Sequence, residues 1–561
     1  MPSAAPPPTP TVGQRVSVGG SLGWVRYVGP VGEKLTQYAG VEWDADGRGK
    51  HDGSHGGTRH FTCAQGRGSF VKFKLLGAAT SLVEALDRKY REGAGGSEDA
   101  KLKAVAATEL YANSANGRQQ CELVGMAQIS AIQADLPGLE RVSLRGMCIE
   151  RVAPPGGRAL SAVAPAVVEL DLRENLLRRW GDVCEIGHCC AQLETLYLSG
   201  NAFDEPEGGA EADAEAEAAR GCFASLRTLV VGSGTMDWPS LLRRARAMPQ
   251  LRQLHFGGNG VVTLTVPGAE LAQLEQLHLE DNCIADAAEV EKLGAMPSLR
   301  WLNLSGNPLE TVRSVASPDG PAGFAALRAL SLCDTALASW DAVVALDGLP
   351  QLAELWLKGC PLLDSAEPKL ESYAARCLTV GRITRLGALN GGAIAPAERL
   401  TAEKMYLRHC VADLTAAGVD ASQPPEALRE TLPAGFAKRH PRFLPLCKHY
   451  DDVQHEKQRQ AGVSLLSSNL VKVSIESHAA AHAERAAAQK SLPLTMTVGK
   501  LKSLCQGMYD LQASKMVVKY RDEGGDEQSL RVLDEWDNDL ASYGVEDGGT
   551  VVVIDPSEYT A

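Results

Sequence analysis

The chain has 561 residues, a formal net charge of −13 and 14 cysteines. This length is too great for a single hydrophobic core, so we expect two to four domains. The acidic balance argues against a general nucleic-acid binder, and no apolar run is long enough to span a membrane. Scattered cysteines without a CxxC pair favour reduced thiols. We therefore expect a cytoplasmic protein that binds other proteins.

The first predicted domain is all-β and basic. Residues 1–10, MPSAAPPPTP, predict a disordered N-terminus, and short strands punctuated by glycine predict a small barrel over 11–78. Nine Lys and Arg stand against five Asp and Glu over 12–76, a formal charge of +4 in an acidic chain. Such a domain suits an acidic partner.

Four motifs in this region occur in a recognisable order. They are YAGVEWD at 38–44, GKHDG at 49–53, FTC at 61–63 and GSFV at 68–71. Together they resemble the CAP-Gly family, which implies an SH3-like barrel with a groove for protein tails that end in an acidic-aromatic carboxylate.

The resemblance also implies roles for individual residues. Lys50 would pair with the tail carboxylate, and the other groove residues would be Tyr38, Gly49, His51, Gly53 and Phe70. His51 either lines the groove or serves only the turn. His51 stands where the family usually has Asn, and Tyr38 where it usually has Trp.

The centre of the chain is repetitive. After a linker or helical segment at 79–125, nine copies of L-x-x-L-x-L-x-x-N, several degenerate, recur every 23 to 33 residues within 126–410. This spacing is typical of leucine-rich repeats, in which each copy supplies one strand with inward Leu and a turn Asn. We expect an α/β solenoid, closed by an amphipathic cap near 385–409.

Two features of the repeats bear on function. The longest gap contains the acidic insertion EPEGGAEADAEAEAA at 205–219, which we expect to be solvated and disordered. The concave face should carry large or polar side chains suited to protein binding. The candidates there are Tyr197, His255, His278, Trp301 and Trp356.

The C-terminal region changes pattern. After a helical segment and linker at 411–469, residues 470–556 read as strand, helix, strand, turn and strand. This order resembles a ubiquitin-like α+β β-grasp domain. The chain ends SEYTA without a diglycine tail, so a docking role is expected, including contact with the ubiquitin pathway or proteasome.

The three regions in this order resemble the tubulin-folding cofactor E family. The resemblance implies a chaperone that captures α-tubulin, joins a cofactor D–β-tubulin complex, and works with cofactor C on assembly or disassembly of αβ-tubulin in the cytoplasm and cytoskeleton. The alternative is a CAP-Gly adaptor that binds tubulin tails without remodelling dimers. We expect no enzyme activity, cofactor, metal, nucleic acid or membrane, since no catalytic or phosphate-binding motif is present.

Overall fold

The computed structural model describes residues 9–32, 34–92, 111–114, 117–120, 135–206, 209–312, 323–364, 372–421, 423–450, 470–478, 486–494, 496–512, 515–525, 529–536 and 538–555. The chain divides into two compact units. One comprises Met1–Ala338 with Gly348–Pro361, and the other comprises Ser339–Asp347 with Leu362–Ala561.

The first unit contains nineteen of the strands described. They are β1 Arg15–Val18, β2 Ser21–Val31, β3 Lys34–Trp43, β4 Ser54–His55, β5 Thr58–Arg59, β6 Gly68–Lys72, β7 Thr80–Ser81, β8 Tyr111–Ser114, β9 Gly117–Gln120, β10 Arg141–Ser143, β11 Ile149–Arg151, β12 Glu169–Asp171, β13 Thr195–Tyr197, β14 Thr228–Val230, β15 Gln253–His255, β16 Gln276–His278, β17 Trp301–Asn303, β18 Ala329–Ser331 and β19 Glu354–Trp356. Its helices are α1 Leu82–Leu86, α2 Leu160–Val163, α3 Trp180–Cys189, α4 Gly209–Ala218, α5 Trp238–Ala245 and α6 Ala287–Glu291.

The N-terminal sheet is antiparallel, with the order β1-β2-β3-β6. Alternation along β3 divides its side chains between two faces. Ala39, Val41 and Trp43 are buried in a core with Val25 and Val71. Tyr38 and Gly40 lie on the opposite face of β3, and this face contributes to the candidate site.

The segment after this sheet is partly built into the unit. Thr80 and Ser81 pair in parallel with the strand Ile149–Arg151. Ser81 then caps α1, because its side chain accepts a hydrogen bond from the Glu84 N–H while the Glu84 carboxylate accepts from the Ser81 N–H. The described start of the predicted linker is thus ordered, whereas 93–110, 115–116 and 121–125 lie outside the described residues.

The nine sequence copies form one parallel sheet. Strands β10 and β12 to β19 pair in sequence order without a register shift. The central residue of each of these nine strands is apolar and at most 3% exposed. The first and third residues consequently project from the opposite face. We call the surface made by these residues of β12–β19 the open face.

Buried asparagines tie successive strands together. Asn282 accepts hydrogen bonds from the N–H groups of Asn259 and Val261, and its amide donates to the carbonyls of Phe256 and Leu279. Asn307 repeats the arrangement one copy later. The sequence interpretation of Asn as a partner for turn backbone is therefore correct in these copies.

The prediction of disorder for the acidic insertion at 205–219 is wrong. Gly209–Ala218 forms α4, since Ala and Glu both have high helix propensity. Arg244, only 3% exposed, pairs with Glu205 at 3.2 Å and with Glu215 at 2.8 Å. A buried guanidinium requires such partners, so this acidic segment neutralises a charge inside the unit.

The second unit combines helices with a mixed sheet. Its strands are β20 Ala388–Leu389, β21 Gly392–Ala393, β22 Leu470–Ser477, β23 Ala488–Pro493, β24 Val517–Arg521, β25 Arg531–Val532 and β26 Thr550–Ile554. Its helices are α7 Trp340–Leu346, α8 Pro361–Asp364 at the crossover between units, α9 Ser372–Arg382, α10 Pro396–Ala416, α11 Pro425–Thr431, α12 Phe436–Arg439 and α13 Val498–Tyr509.

The C-terminal sheet has the order β23-β22-β26-β24-β25, in which only β22 and β26 are parallel. Thr497 caps α13 by accepting a hydrogen bond from Lys500 N–H. Helix α13 buries Leu501 and Cys505 against the sheet. Across the described part of the chain, no helix combines the length and apolarity needed to cross a membrane.

Candidate functional site

The loop Gly49–Gly53 is held against the start of β6. The N–H of Lys50 donates to the Gly68 carbonyl at 2.7 Å, and the N–H of Gly68 donates to the His51 carbonyl at 2.7 Å. A Cβ at Gly49 would collide with the Arg67 backbone. Gly53 has φ +96, and a Cβ there would collide with the Phe61 carbonyl oxygen. Only glycine therefore fits either position without strain.

Aromatic rings form a cluster beside this loop. Phe70 contacts Phe61 at 5.6 Å and Tyr27 at 6.2 Å between ring centroids, both edge to face. Gly40 makes the close packing feasible, because a Cβ there would lie 2.5 Å from Phe61 Cε1 and 2.9 Å from Tyr27 Cβ. Imidazole rings complete the cluster, with His51, His55 and His60 all in ring contact with Phe70. We call this surface, together with the 49–53 loop, the tail groove.

His51 both shapes the loop and forms a wall of the groove. Its ring stacks on Phe70, with centroids 4.8 Å apart and planes inclined by 28°. Its Nδ1 accepts a hydrogen bond from the Gly53 N–H at 3.0 Å, which leaves the proton on Nε2. Partial burial lowers the pKa of His51, although the carboxylate of Asp52 opposes this shift. The ring is therefore a neutral donor near pH 7.

Four arginines of this domain are paired with carboxylates. Arg26 pairs with Glu42 at 2.7 Å, Arg59 with Asp52 at 2.7 Å, and Arg15 and Arg67 pair with Asp44 and Asp46. The side chains of Lys50, Lys72 and Lys74 are exposed, and none has a carboxylate partner among the described residues. Lys50 differs from the other two by its place in the loop, directly before His51, whose ring belongs to the aromatic cluster.

The groove differs from the sequence prediction in its membership. The predicted Gly49, Lys50, His51, Gly53 and Phe70 come together around one surface. Tyr38 shares the outer face of β3 with Gly40, but no ring contact joins it to the cluster within the described part of the domain. Sequence reasoning missed Tyr27 and Phe61. The pairing of Tyr27 with Gly40 identifies them only once the strand register is known.

The open face brings four of its five predicted residues into one row of contacts. His255 and His278 stack at 4.0 Å, His278 lies 6.2 Å from Trp301, and Trp301 lies 4.8 Å from Trp356. The two tryptophans belong to β17 and β19, and the small Ala329 and Ser331 of β18 leave the space between them. Tyr197 lies two strands before His255 and stacks under Arg173 instead.

The Nε1 of Trp301 is buried and donates no hydrogen bond to any described residue. Such a donor costs free energy unless a ligand or water accepts from it. The open face thus offers aromatic ring surface, which is common in protein-binding surfaces.

The second unit contains a Cys-His-Asp arrangement that sequence reasoning missed. Cys410 Sγ lies 3.3 Å from His440 Nδ1, and His440 Nε2 lies 3.1 Å from Asp413 Oδ2. Cys410 has no exposed surface, and burial raises the pKa of its thiol to about 12. A cysteine nucleophile must be both accessible and readily ionised. These residues therefore serve the packing of the helical core.

Comparison with known proteins matches both ends of the chain to domain families. A CAP-Gly domain model matches residues 12–76, and a ubiquitin-like domain model matches residues 470–559. The solved C-terminal ubiquitin-like domain of mouse tubulin-specific chaperone e is 26% identical, with 17% of this chain and 94% of that chain covered and a TM-score of 0.15.

Full-length relatives give the family. The Danio rerio tubulin-specific chaperone E is 30% identical over 97% of this chain and 98% of its own length. The Homo sapiens tubulin-specific chaperone E is 29% identical, and the Arabidopsis thaliana tubulin-folding cofactor E is 30% identical, each with the same two coverages. Similarity of this extent, from the tail groove to the ubiquitin-like sheet, establishes that the chain belongs to the tubulin-specific chaperone E family.

Proposed function

We propose that this chain takes part in tubulin folding by binding α-tubulin at two places. The α-tubulin C-terminal tail occupies the tail groove, and the body of α-tubulin contacts the open face. The observation that carries the proposal is that the exposed Lys50, which has no carboxylate partner among the described residues, lies in the same loop as His51, whose ring stacks on Phe70. The relatives named tubulin-specific chaperone E and tubulin-folding cofactor E indicate the partner.

The groove chemistry suits a tail that ends in acidic residues and a ring. Lys50 supplies a point charge for a carboxylate, and His51 Nε2–H supplies a directional donor. Phe70 and Phe61 offer ring surface to an aromatic tail residue. Gly49 and Gly53 fix the shape of the loop by packing against the backbone of Arg67 and Phe61, and Tyr38 extends the wall along β3.

The parallel sheet gives the second contact. We assign β10 and β12–β19 to a leucine-rich-repeat solenoid, because one strand per copy, buried Leu and buried turn Asn characterise that architecture. Its open face is then the concave face, with contact residues Tyr197, His255, His278, Trp301 and Trp356. Two separate contacts increase the overall affinity when a linker lets both form together.

Holding α-tubulin at two points fits a chaperone that exchanges subunits. In this role the chain joins a cofactor D–β-tubulin complex and, with cofactor C, assembles or takes apart αβ-tubulin in the cytoplasm, beside the cytoskeleton. The ubiquitin-like sheet then docks another protein, such as a ubiquitin-pathway or proteasome component. We propose a binding role throughout, without catalysis by this chain.

The test measures binding of a labelled α-tubulin tail peptide to the full chain. Lys50→Ala should weaken binding by about 1–3 kcal/mol, because a charge-assisted contact is lost. Lys74→Ala is the matched control, since Lys74 is exposed in the same domain beyond β6. Equal binding by both variants would refute the assignment of Lys50.

Dimer content distinguishes the chaperone from the adaptor. The chain is mixed with native αβ-tubulin and the other cofactors, and heterodimer is quantified by native sizing. A change in heterodimer content supports the chaperone. Tail-dependent binding with unchanged dimers would favour the adaptor.

A further inference from the structure

Two histidines and a glutamate converge on the open face. His255 and His278 occupy the same register position on β15 and β16, and Glu280 follows His278 by two residues. Their candidate ligand atoms all lie within 4.8 Å of one another. Parallel register brings the two imidazoles together, whereas 23 residues separate them in sequence. Three side chains with metal-binding atoms therefore meet at one point.

The carboxylate of Glu280 is positioned without a cationic side chain. Asn303 Nδ2 donates to Glu280 Oε2 at 3.2 Å, and Asn303 Oδ1 accepts from the N–H and hydroxyl of Ser305. The Nδ1 atom of His278 lies 3.8 Å from Glu280 Oε2. No Lys or Arg among the described residues forms an ion pair with Glu280. This carboxylate is therefore available to a cation that reaches it from the exposed side.

The backbone also leaves room for this carboxylate. Gly257 faces Glu280 across β15 and β16, and a Cβ at Gly257 would lie 2.9 Å from Glu280 Cδ. Space and ligand geometry are thus compatible with coordination.

We propose that His255, His278 and Glu280 bind a divalent transition-metal ion, with Zn²⁺ as the best fit. Two imidazoles and one carboxylate match the donors that Zn²⁺ prefers, whereas Ca²⁺ and Mg²⁺ favour oxygen ligands alone. Zn²⁺ sites with three protein ligands take water or another ligand as the fourth donor.

Binding requires one local rearrangement. The imidazoles are nearly parallel, with an angle of 12° and 4.0 Å between centroids. Parallel stacked rings cannot both direct an in-plane lone pair at one ion, so at least one ring must turn about its side-chain torsions. His278 is 18% exposed and Glu280 is 32% exposed, which leaves freedom for this turn.

The experiment titrates the reduced full-length chain with Zn²⁺ by calorimetry. His255→Gln, His278→Gln and Glu280→Gln should each lower the affinity of one Zn²⁺ equivalent by about 100-fold or more, and Asn303→Ala by about 10-fold, because it orients a ligand. His449→Gln is the control for an exposed histidine elsewhere. Glu280→Gln preserves side-chain shape, so it decides the test if a histidine variant is unstable.

A cysteine variant and a cobalt spectrum distinguish metal binding at this site from metal binding by thiols. Cys283 is exposed and lies three residues after Glu280, so Cys283→Ser is titrated in parallel. With Co²⁺ as the probe, the site should give tetrahedral visible bands without a thiolate charge-transfer band. Zn²⁺ binding that is identical in wild type and all three ligand variants, or that is lost only in Cys283→Ser, would overturn the proposal. Neither result would alter tail binding at Lys50.

Discussion

The tail groove and the open face achieve recognition in opposite ways. The groove combines an irregular loop, in which Gly49 and Gly53 permit contacts that no other residue tolerates, with rings from neighbouring strands. The open face takes one or two side chains from each strand of a regular sheet, so His255 and Trp356 meet other rings only through register. The groove loop can consequently be recognised from a short sequence motif, whereas the ring contacts of the open face depend on the pairing of all its strands.

The largest expected effect is a loss of stability in the unit that contains the parallel sheet. Asn282→Ala removes the amide that accepts from the N–H groups of Asn259 and Val261 and donates to two carbonyls, and both N–H groups would lose their acceptor. We expect a loss of about 3–5 kcal/mol in the free energy of unfolding of this unit. Urea unfolding monitored by circular dichroism measures it. Gln276→Ala, half-buried on the open face, should change little by comparison. Equal midpoints for both variants would contradict the role of the Asn row.

The next effect sharpens the contrast from the groove side. Gly53→Ala places a methyl group against the Phe61 carbonyl at φ +96, so the loop must move. We expect tail-peptide affinity to fall by about 2–4 kcal/mol while the parallel sheet stays intact. Gly47→Ala is the control, because Gly47 has φ +71 but open space around its Cβ position. If both variants lost equal affinity, backbone strain rather than the collision would be the cause.

A smaller effect tests whether the open face works independently of the groove. Trp356→Ala should weaken binding of tubulin that lacks the α-tail by about 1–2 kcal/mol, because the ring packs on Trp301 at the exposed surface. Trp536→Ala is the matched control, since Trp536 is 46% exposed in the ubiquitin-like region. Light-scattering or interferometry measures affinity. A larger loss for Trp536 than for Trp356 would place the body contact elsewhere.

The smallest effect concerns acid and the groove loop. Because the folded pKa of His51 is lowered, its contribution to stability is present above the ordinary pKa of 6.5 and is lost as pH falls below it. Protonation at Nδ1 also removes the acceptor for Gly53 N–H. Hydrogen exchange over residues 49–63, corrected for intrinsic rates, should show less protection at pH 5.5 than at pH 7.5.

His51→Asn supplies the control, because an amide can accept the same type of hydrogen bond without titrating near neutral pH. Asp52 and His55, the neighbours that act electrostatically on residue 51, are present in both proteins. An equal loss of protection in wild type and His51→Asn would show that another group is responsible.

Sequence was sufficient where the determinants are local. The loop glycines were predicted from GKHDG, because five adjacent residues contain the constraint, and the role of Lys50 stays a prediction. Tyr27 and Phe61 were missed because their packing arises from the pairing of β2 with β3 and from the absence of a Cβ at Gly40. The Leu and Asn positions were predicted because each copy repeats the same requirement, a buried Leu in the strand and an Asn that bonds to the turn backbone.

Sequence failed where a distant partner decides the outcome. The acidic insertion reads as solvated, yet Glu215 pairs with Arg244, which lies 29 residues later and is buried. Strand β23 was also missed, because AQKSLP lacks alternation and its side chains are mostly exposed. Pairing with β22 sets the place of β23 in the sheet. The last residue of β23 is Pro493, which is compatible with an edge strand. The metal proposal depends likewise on register between β15 and β16.

The most direct test of the central claim is a double-mutant cycle on tail capture. Affinity is measured for wild type and Lys50→Ala, each with intact αβ-tubulin and with tubulin whose α-tail terminal residues are removed. If Lys50 binds the tail, either change alone should cost about 1–3 kcal/mol, and combining them should cost no more than the larger one. Additive losses would contradict the account, because Lys50 and the tail would then act at separate places.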